Sequence, residues 1–249
     1  MKTLIKLFAA FLIATASTVT SAETRALIVV TSHDKMGETN KRTGLWLAEM
    51  THPYYELTEA GIKVEIASIK GGAAPIDPNS LADDDAINKE FLANPATRTL
   101  LDNTLTLADV DPARYQAIVF AGGHGTVWDF SASQAVNDIG FAVYQQGGFV
   151  AAVCHGPAAL LNIRDDNGRL IIEGKKVAGF SNKEEQAVGL TNVVPYLLQD
   201  ELAEGGAEYL EGGMFESFVV QDGRLITGQN PQSALELGKT LVDSLINNS

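Results

Sequence analysis

Short apolar stretches rich in β-branched residues alternate with longer amphipathic stretches along this chain. The short stretches predict buried strands, and the amphipathic stretches predict helices. The expected strands are 25–32, 62–72, 149–153, 175–180, the two arms of a hairpin at 218–228, and one within 115–125 that runs into a glycine turn. The expected helices are 45–61, 83–92, 132–146, 157–161, 193–206 and 231–248. This alternation predicts an α/β fold: a single-domain three-layer sandwich in which helices cover both faces of a mostly parallel, flavodoxin-like sheet.

The first 22 residues predict a targeting segment rather than a part of the fold. Lys2 and Lys6 flank the start of an apolar run at Leu7–Ala14, and small residues lead to Ala22. This order is typical of a secretory signal peptide. The run is shorter than the roughly 20 residues of a membrane span, although an uncleaved anchor stays open as the alternative. We expect cleavage after Ala22, secretion to a bacterial periplasm, and one domain over 23–249.

Charge and cysteine content narrow the classes of partner. The net charge of −13 becomes −15 when residues 1–22 are removed, because they hold two lysines and no acid. Such a surface, without a basic stripe, repels nucleic acid and anionic membranes. We therefore expect no nucleic-acid partner and no stable membrane association after cleavage. The single cysteine excludes an internal disulfide.

That cysteine, Cys154, lies where the apolar stretch 149–153 meets the predicted helix 157–161. The residues two places before and after it, Ala152 and Gly156, are small, as required at a nucleophile elbow, a sharp strand-to-helix turn that exposes a nucleophile. A thiol at a helix N-terminus is expected to ionise readily, because the helix dipole favours the thiolate. The alternative is an inert cysteine packed in the core.

Three further features surround this elbow in the predicted topology. His155 follows the cysteine and could act as a general base or acid; the alternative is a capping or surface histidine. The glycine turn 121–125 ends a neighbouring strand, and its backbone N–H groups could stabilise an oxyanion. Glu49 lies on the apolar face of the first helix, where an inward carboxyl would be desolvated and its pKa raised; the alternative is that it faces solvent.

Six motifs together resemble a known family. They are "TGLWLAEMTHPYYELTEAGIKVEIAS", "GGAAPIDPNSL", "AGGHGTVWDF", "AVCHGPAAL", "GFSNKEE" and "DGRLITGQNPQSA", and the resemblance runs from about residue 25 to 246. The chain resembles the PfpI-like branch of the class I glutamine amidotransferase-like superfamily. Within that branch it is most similar to the heat-shock-protein-31-like proteins, which include glutathione-independent glyoxalases.

The resemblance implies a set of site residues. It places the nucleophile at Cys154, its histidine at His155 and an acid beside the sulfur at Glu49. The third member of the triad falls on Glu185, with Glu184 left open because the register is uncertain by one residue. The oxyanion turn falls on Gly122, Gly123 and His124.

The function implied is that of a cysteine-dependent, glutathione-independent glyoxalase of the D-lactate dehydratase type. A small 2-oxoaldehyde such as methylglyoxal is the expected substrate, and no metal or other cofactor is expected. Two alternatives stay open: a holdase chaperone or protein deglycase acting in stress, and a cysteine peptidase or amidohydrolase. A homodimer is implied by the resemblance alone.

Overall fold

The computed structural model describes residues 23–82 and 84–247. The predicted signal peptide, residues 1–22, lies outside the described residues. The strands are β1 (Arg25–Val30), β2 (Lys63–Ser68), β3 (Leu105–Thr106), β4 (Ala117–Phe120), β5 (Phe149–Val153), β6 (Lys176–Val177), β7 (Glu208–Tyr209), β8 (Val219–Asp222) and β9 (Leu225–Gly228). The α-helices are α1 (Ala48–Glu59), α2 (Ala86–Ala93), α3 (Pro95–Asp102), α4 (Thr126–Asp129), α5 (Gln134–Gln145), α6 (Asn182–Ala187), α7 (Leu198–Glu204) and α8 (Ala234–Asn247). Short 3₁₀ helices lie at Pro78–Leu81, Leu107–Asp109, Pro112–Arg114, Gly156–Leu161 and Pro231–Ser233.

Seven of the strands form one sheet in the order β3-β2-β1-β4-β5-β9-β8. All neighbours are parallel except β8, which pairs with β9 as the antiparallel hairpin expected at 218–228. The chain adds strands on one side of β1 and then returns to add β4 and β5 on the other side. The order therefore reverses between β1 and β4, and ligand sites of open α/β sheets lie at such a reversal, beyond the carboxyl ends of the strands.

Helices cover the sheet, and its central strands are buried. Every residue of β4, β5 and β9 is buried, so side chains pointing to either face of these strands are covered. Helices α1 and α8 pack against each other, and α5 packs against β4 and β5. The predicted α/β sandwich with a mostly parallel sheet is confirmed. None of the described helices is long and apolar enough to cross a lipid bilayer.

Three predicted elements differ from the structure. The strand expected at 175–180 shrinks to β6, which pairs only with β7 in a separate two-stranded sheet. The helix expected at 193–206 begins only at Leu198, since Pro195 disfavours helical backbone at the residue before it. The helix expected at 157–161 is a 3₁₀ helix, Gly156–Leu161.

Three α-helices were missed, α3, the four-residue α4 and α6, and the sequence carries start signals for the first and the last of them. Asn94 caps α3 by accepting a hydrogen bond from the Ala96 N–H at 2.9 Å, with Pro95 at the first helical position. Ser181 and Glu184 form a reciprocal capping box at the start of α6. The last of these helices, α6, matters for the site because it carries Glu184 and Glu185.

Candidate active site

Cys154 stands on a strained turn directly after β5. Its φ of +58° is in the left-handed region, which non-glycine residues rarely adopt. Its N–H donates to the carbonyl of Gly228 at 2.9 Å, and its carbonyl accepts from the Phe180 N–H at 2.8 Å. A Cβ added at Gly156 would lie 2.0 Å from the Phe120 carbonyl oxygen. This is the geometry predicted for a nucleophile elbow, including the need for a small residue two places after the nucleophile.

A chain of close contacts leads from the sulfur to a buried carboxylate. Sγ of Cys154 lies 3.4 Å from Nδ1 of His155, and Nε2 of that imidazole lies 2.8 Å from Oε2 of Glu185. His155 is fully buried and Glu185 nearly so. The structure thus brings together the three predicted triad residues, and it is Glu185 rather than Glu184 that contacts the histidine.

His124 joins this cluster through its side chain, which sequence reasoning missed. Its Nε2 lies 3.0 Å from Oε1 of Glu185, so one carboxylate bonds two imidazoles. The centroids of the His124 and His155 rings are 4.1 Å apart. The sequence held a signal for this contact, because both histidines follow strands that end at the same edge of the sheet.

The pKa shifts within the cluster indicate which of its groups carry protons. Burial and the neighbouring His124 lower the pKa of His155 to about 4. Burial alone would raise the pKa of Glu185, but the two imidazoles hold it well below its usual value. Near neutral pH, His155 is therefore neutral and Glu185 is a carboxylate. Because Nε2 of His155 must donate to Glu185, Nδ1 is the unprotonated nitrogen that faces the sulfur.

Glu49, on α1, is a second neighbour of the thiol and is fully buried. The Cys154 thiol and the Gly122 N–H lie near enough to lower its pKa, and the charge of Asp77 raises it. Within the described part of the chain, neither of its carboxyl oxygens has a partner in hydrogen-bonding geometry. Burial raises the pKa of Glu49 well above its usual value. The predicted inward carboxyl is thus found, and it is protonated more readily than an exposed one.

The expectation that the thiol ionises readily is wrong. Burial, together with the adjacent carboxyl of Glu49, raises the pKa of Cys154 well above its usual value. Two features of the packing explain the difference: the sulfur is buried, and a carboxyl lies beside it. The resting site therefore holds a thiol, and its proton must leave when the sulfur attacks. Nδ1 of His155 is placed to take it.

The predicted oxyanion turn lies against the same elbow. A Cβ added at Gly122 would lie 2.5 Å from Glu49 Oε2 and 2.5 Å from the Val153 carbonyl oxygen, so only glycine fits there. Gly123 has a φ of +98°, and a Cβ there would lie 2.3 Å from a backbone oxygen. The turn is close to the reacting sulfur, and its role as an oxyanion donor stays a prediction.

One group of described side chains could also hold a metal ion. The ligand atoms of His124, His155 and Glu185 all lie within 4.8 Å of one another. They are already joined by direct hydrogen bonds. That the site works without a metal stays a prediction.

Fold and site together define a class: α/β proteins whose cysteine nucleophile stands on a strand-end elbow, with a histidine and two buried carboxylates around it. The model of the DJ-1/PfpI family matches residues 43–244, and the chain belongs to this family. It is 32% identical over 241 residues to the glutathione-independent glyoxalase HSP31 of Saccharomyces cerevisiae, covering 91% of this chain and all of the yeast protein.

Two solved structures are similar over nearly the same span. One is the rapid encystment protein of 24 kDa from Francisella tularensis, with a TM-score of 0.87 and 48% identity over 89% of this chain and 99% of that one. The other is glyoxalase III from Candida albicans, with a TM-score of 0.83 and 31% identity over 89% of this chain and 97% of that one. The resemblance inferred from the motifs is confirmed.

Proposed function

We propose that the protein is a cysteine-dependent, glutathione-independent glyoxalase that converts 2-oxoaldehydes such as methylglyoxal to 2-hydroxy acids. The observation that carries the proposal is that the Cys154 sulfur lies close to two proton carriers, the neutral Nδ1 of His155 at 3.4 Å and the buried Glu49 carboxyl. The relatives named as glyoxalases support it.

The first step forms a hemithioacetal. The thiol passes its proton to Nδ1 of His155 while the sulfur bonds to the aldehyde carbon, and Glu49 gives its proton to the aldehyde oxygen. Because its pKa is raised, the Glu49 carboxyl still holds the proton that it gives in this step. Glu185 stabilises the imidazolium that forms, as the carboxylate of a catalytic triad does.

The second step moves a hydrogen between adjacent carbons. The Glu49 carboxylate takes the proton from the former aldehyde carbon, and the imidazolium of His155 protonates the neighbouring carbonyl oxygen, giving an enediol. Glu49 then returns its proton to the second carbon, and the remaining enol proton goes back to Glu49 as a thioester forms. Water hydrolyses the thioester to the 2-hydroxy acid and restores the thiol. No net oxidation occurs, because one carbon is oxidised as its neighbour is reduced.

The test is turnover of methylglyoxal by residues 23–249, followed as lactate formed, with Cys154→Ala and Glu49→Gln alongside. We expect turnover without glutathione, complete loss in Cys154→Ala, and a loss of at least about 100-fold in Glu49→Gln. Wild-type turnover that persists in Cys154→Ala would contradict the mechanism. Cleavage of a peptide or amide panel with no 2-oxoaldehyde turnover would favour the hydrolase alternative.

We also propose that the protein is exported, on the basis of the lysines, apolar run and small residues within 1–22. Fractionation of cells followed by N-terminal sequencing tests this, with Glu23 expected as the first residue of a periplasmic species. A full-length cytoplasmic protein would contradict it. Size-exclusion chromatography of the same sample tests the proposed homodimer.

A further inference from the structure

A segment beside the site, the 212–218 loop, is exposed through its side chains but fixed through its backbone. The fully buried Gln229 side chain accepts from the Gly212 N–H at 2.7 Å. The equally buried Asn230 donates to the Glu216 carbonyl at 2.8 Å. Buried side-chain bonds of this kind hold a loop in one conformation. The loop therefore presents its side chains to solvent from defined positions.

Phe215 is the residue of this loop with strained backbone. Its φ is +55°, and its N–H donates to Oε1 of Glu184 at 2.8 Å. Glu184 is fully buried and also accepts from Asn230 and from the N–H and Oγ of Ser181. Four donors match the four lone-pair sites of a carboxylate. An aromatic residue in the left-handed region is an outlier, and such outliers cluster at binding and active sites.

The ring of Phe215 continues a row of rings that begins at the imidazole beside the sulfur. The His155 and Phe180 centroids are 4.5 Å apart, and the Phe180 and Phe215 centroids are 6.3 Å apart. Exposure rises along this row, since Phe180 is 5% exposed and Phe215 is 39% exposed. Phe180 and Phe215 thus form an apolar row that leads from the imidazole beside the sulfur towards solvent.

From this placement we infer that Phe215 is a specificity-determining residue: its ring contacts the group on the ketone carbon of the 2-oxoaldehyde and favours apolar, above all aromatic, groups over hydrogen. The identity of the substrate rests on the proposed function, whereas the choice of Phe215 rests on the geometry of the loop. Aromatic rings attract one another at centroid separations of about 4.5–7 Å, beyond the effect of area burial. Phenylglyoxal is the matching probe, and glyoxal, which carries only hydrogen, is its reference.

The decisive variant is Phe215→Gly, because glycine adopts the left-handed backbone without strain and preserves the loop while removing the ring. We expect the ratio of kcat/KM for phenylglyoxal to that for glyoxal to fall about five- to tenfold. Phe215→Leu should give an intermediate ratio. The matched control is Ile246→Ala, which removes an exposed apolar side chain from α8 and should leave the ratio unchanged.

A second readout does not depend on turnover. Because the chain has a single cysteine, maleimide alkylation reports on Cys154 alone. The rate ratio of N-phenylmaleimide to N-methylmaleimide is measured with the protein and compared with the same ratio for a free thiol. The wild type should exceed the free-thiol ratio several-fold, and Phe215→Gly should abolish that preference. If the wild type converts no 2-oxoaldehyde but keeps the preference, the proposed function fails and the role of Phe215 stands. If wild type and Phe215→Gly give equal ratios in both assays, or the wild type prefers neither reagent, the inference is wrong.

Discussion

The buried carboxyl of Glu49 should make the folded protein less stable as the pH rises. Glu49 is fully buried, and among the described residues neither of its oxygens has a hydrogen-bond partner. Burial raises its pKa well above the usual 4.5. A group in this position costs stability when it ionises, and it persists because the site needs it.

The sign and size of the effect follow from proton binding. Above pH 4.5, an unfolded chain releases the Glu49 proton while the folded protein still holds it. The folded state then binds more protons, so the free energy of unfolding falls as pH rises, by up to about 1.4 kcal/mol per pH unit until the folded-state pKa is reached. The neutral variant Glu49→Gln lacks this dependence. Its stability relative to the wild type should therefore rise with pH above 4.5, by up to about 1.4 kcal/mol per pH unit.

Urea unfolding at pH 5, 6, 7 and 8, followed by the fluorescence of Trp46 and Trp128, measures the difference. Only the change of this stability difference with pH tests the prediction, because the glutamine amide adds an effect on stability that does not depend on pH. Glu59→Gln, on the exposed side of the same helix, is the matched control and should give a difference that is flat with pH. A flat difference for Glu49→Gln as well, or one that declines as pH rises, would show that the carboxyl is already ionised in the folded protein.

Three further predictions follow from single contacts. His124→Gln removes one of the two imidazole donors to Glu185 and should lower kcat/KM for methylglyoxal roughly tenfold, against at least about 100-fold for His155→Gln; equal losses would give the two histidines the same role. Gly156→Ala places a Cβ 2.0 Å from a backbone oxygen and should lower the free energy of unfolding, measured in urea, by about 3 kcal/mol or more. Its control is Gly179→Ala, whose Cβ meets only side-chain methyls and the Cys154 carbonyl oxygen at 3.2 Å or more. This control should cost about 1 kcal/mol. Glu184→Gln turns an amide donor toward groups that themselves donate and should lower the free energy of unfolding by about 2–4 kcal/mol in the same measurement. Gln186→Ala, at an exposed position of the same helix, is the control and should leave the free energy of unfolding nearly unchanged.

The elbow could be predicted because its signal is local. A strand-forming stretch, two small residues and a cysteine lie within eight positions, and the close approach of Gly156 to the Phe120 carbonyl shows why the small residue is required. The choice between Glu184 and Glu185 was also available locally. Serine followed three residues later by glutamate is a capping-box pattern, which directs Glu184 back to Ser181 and leaves the next residue for the imidazoles.

Other parts of the site depend on contacts between distant segments. His124 and Glu185 are 61 residues apart, and only the assembled sheet brings them together. The ionisation of Cys154 was predicted in the wrong direction because burial and the adjacent carboxyl are properties of packing, which outweighed the local turn. No sequence pattern marks Phe215 as a residue with positive φ, since the buried Glu184 that bonds its N–H comes from another element.

The backbone hydrogen bonds on both sides of Cys154 have a consequence for motion. Strand β5 is paired along both edges. The N–H of Cys154 extends the pairing with β9 to Gly228, and its carbonyl accepts from the Phe180 N–H outside the sheet. The Cys154 amide should therefore exchange with deuterium only when the whole domain unfolds. Since just 4% of the cysteine is exposed, we expect substrate entry and product release to require rotations of side chains at the rim, while the backbone that carries the sulfur stays fixed from one cycle to the next.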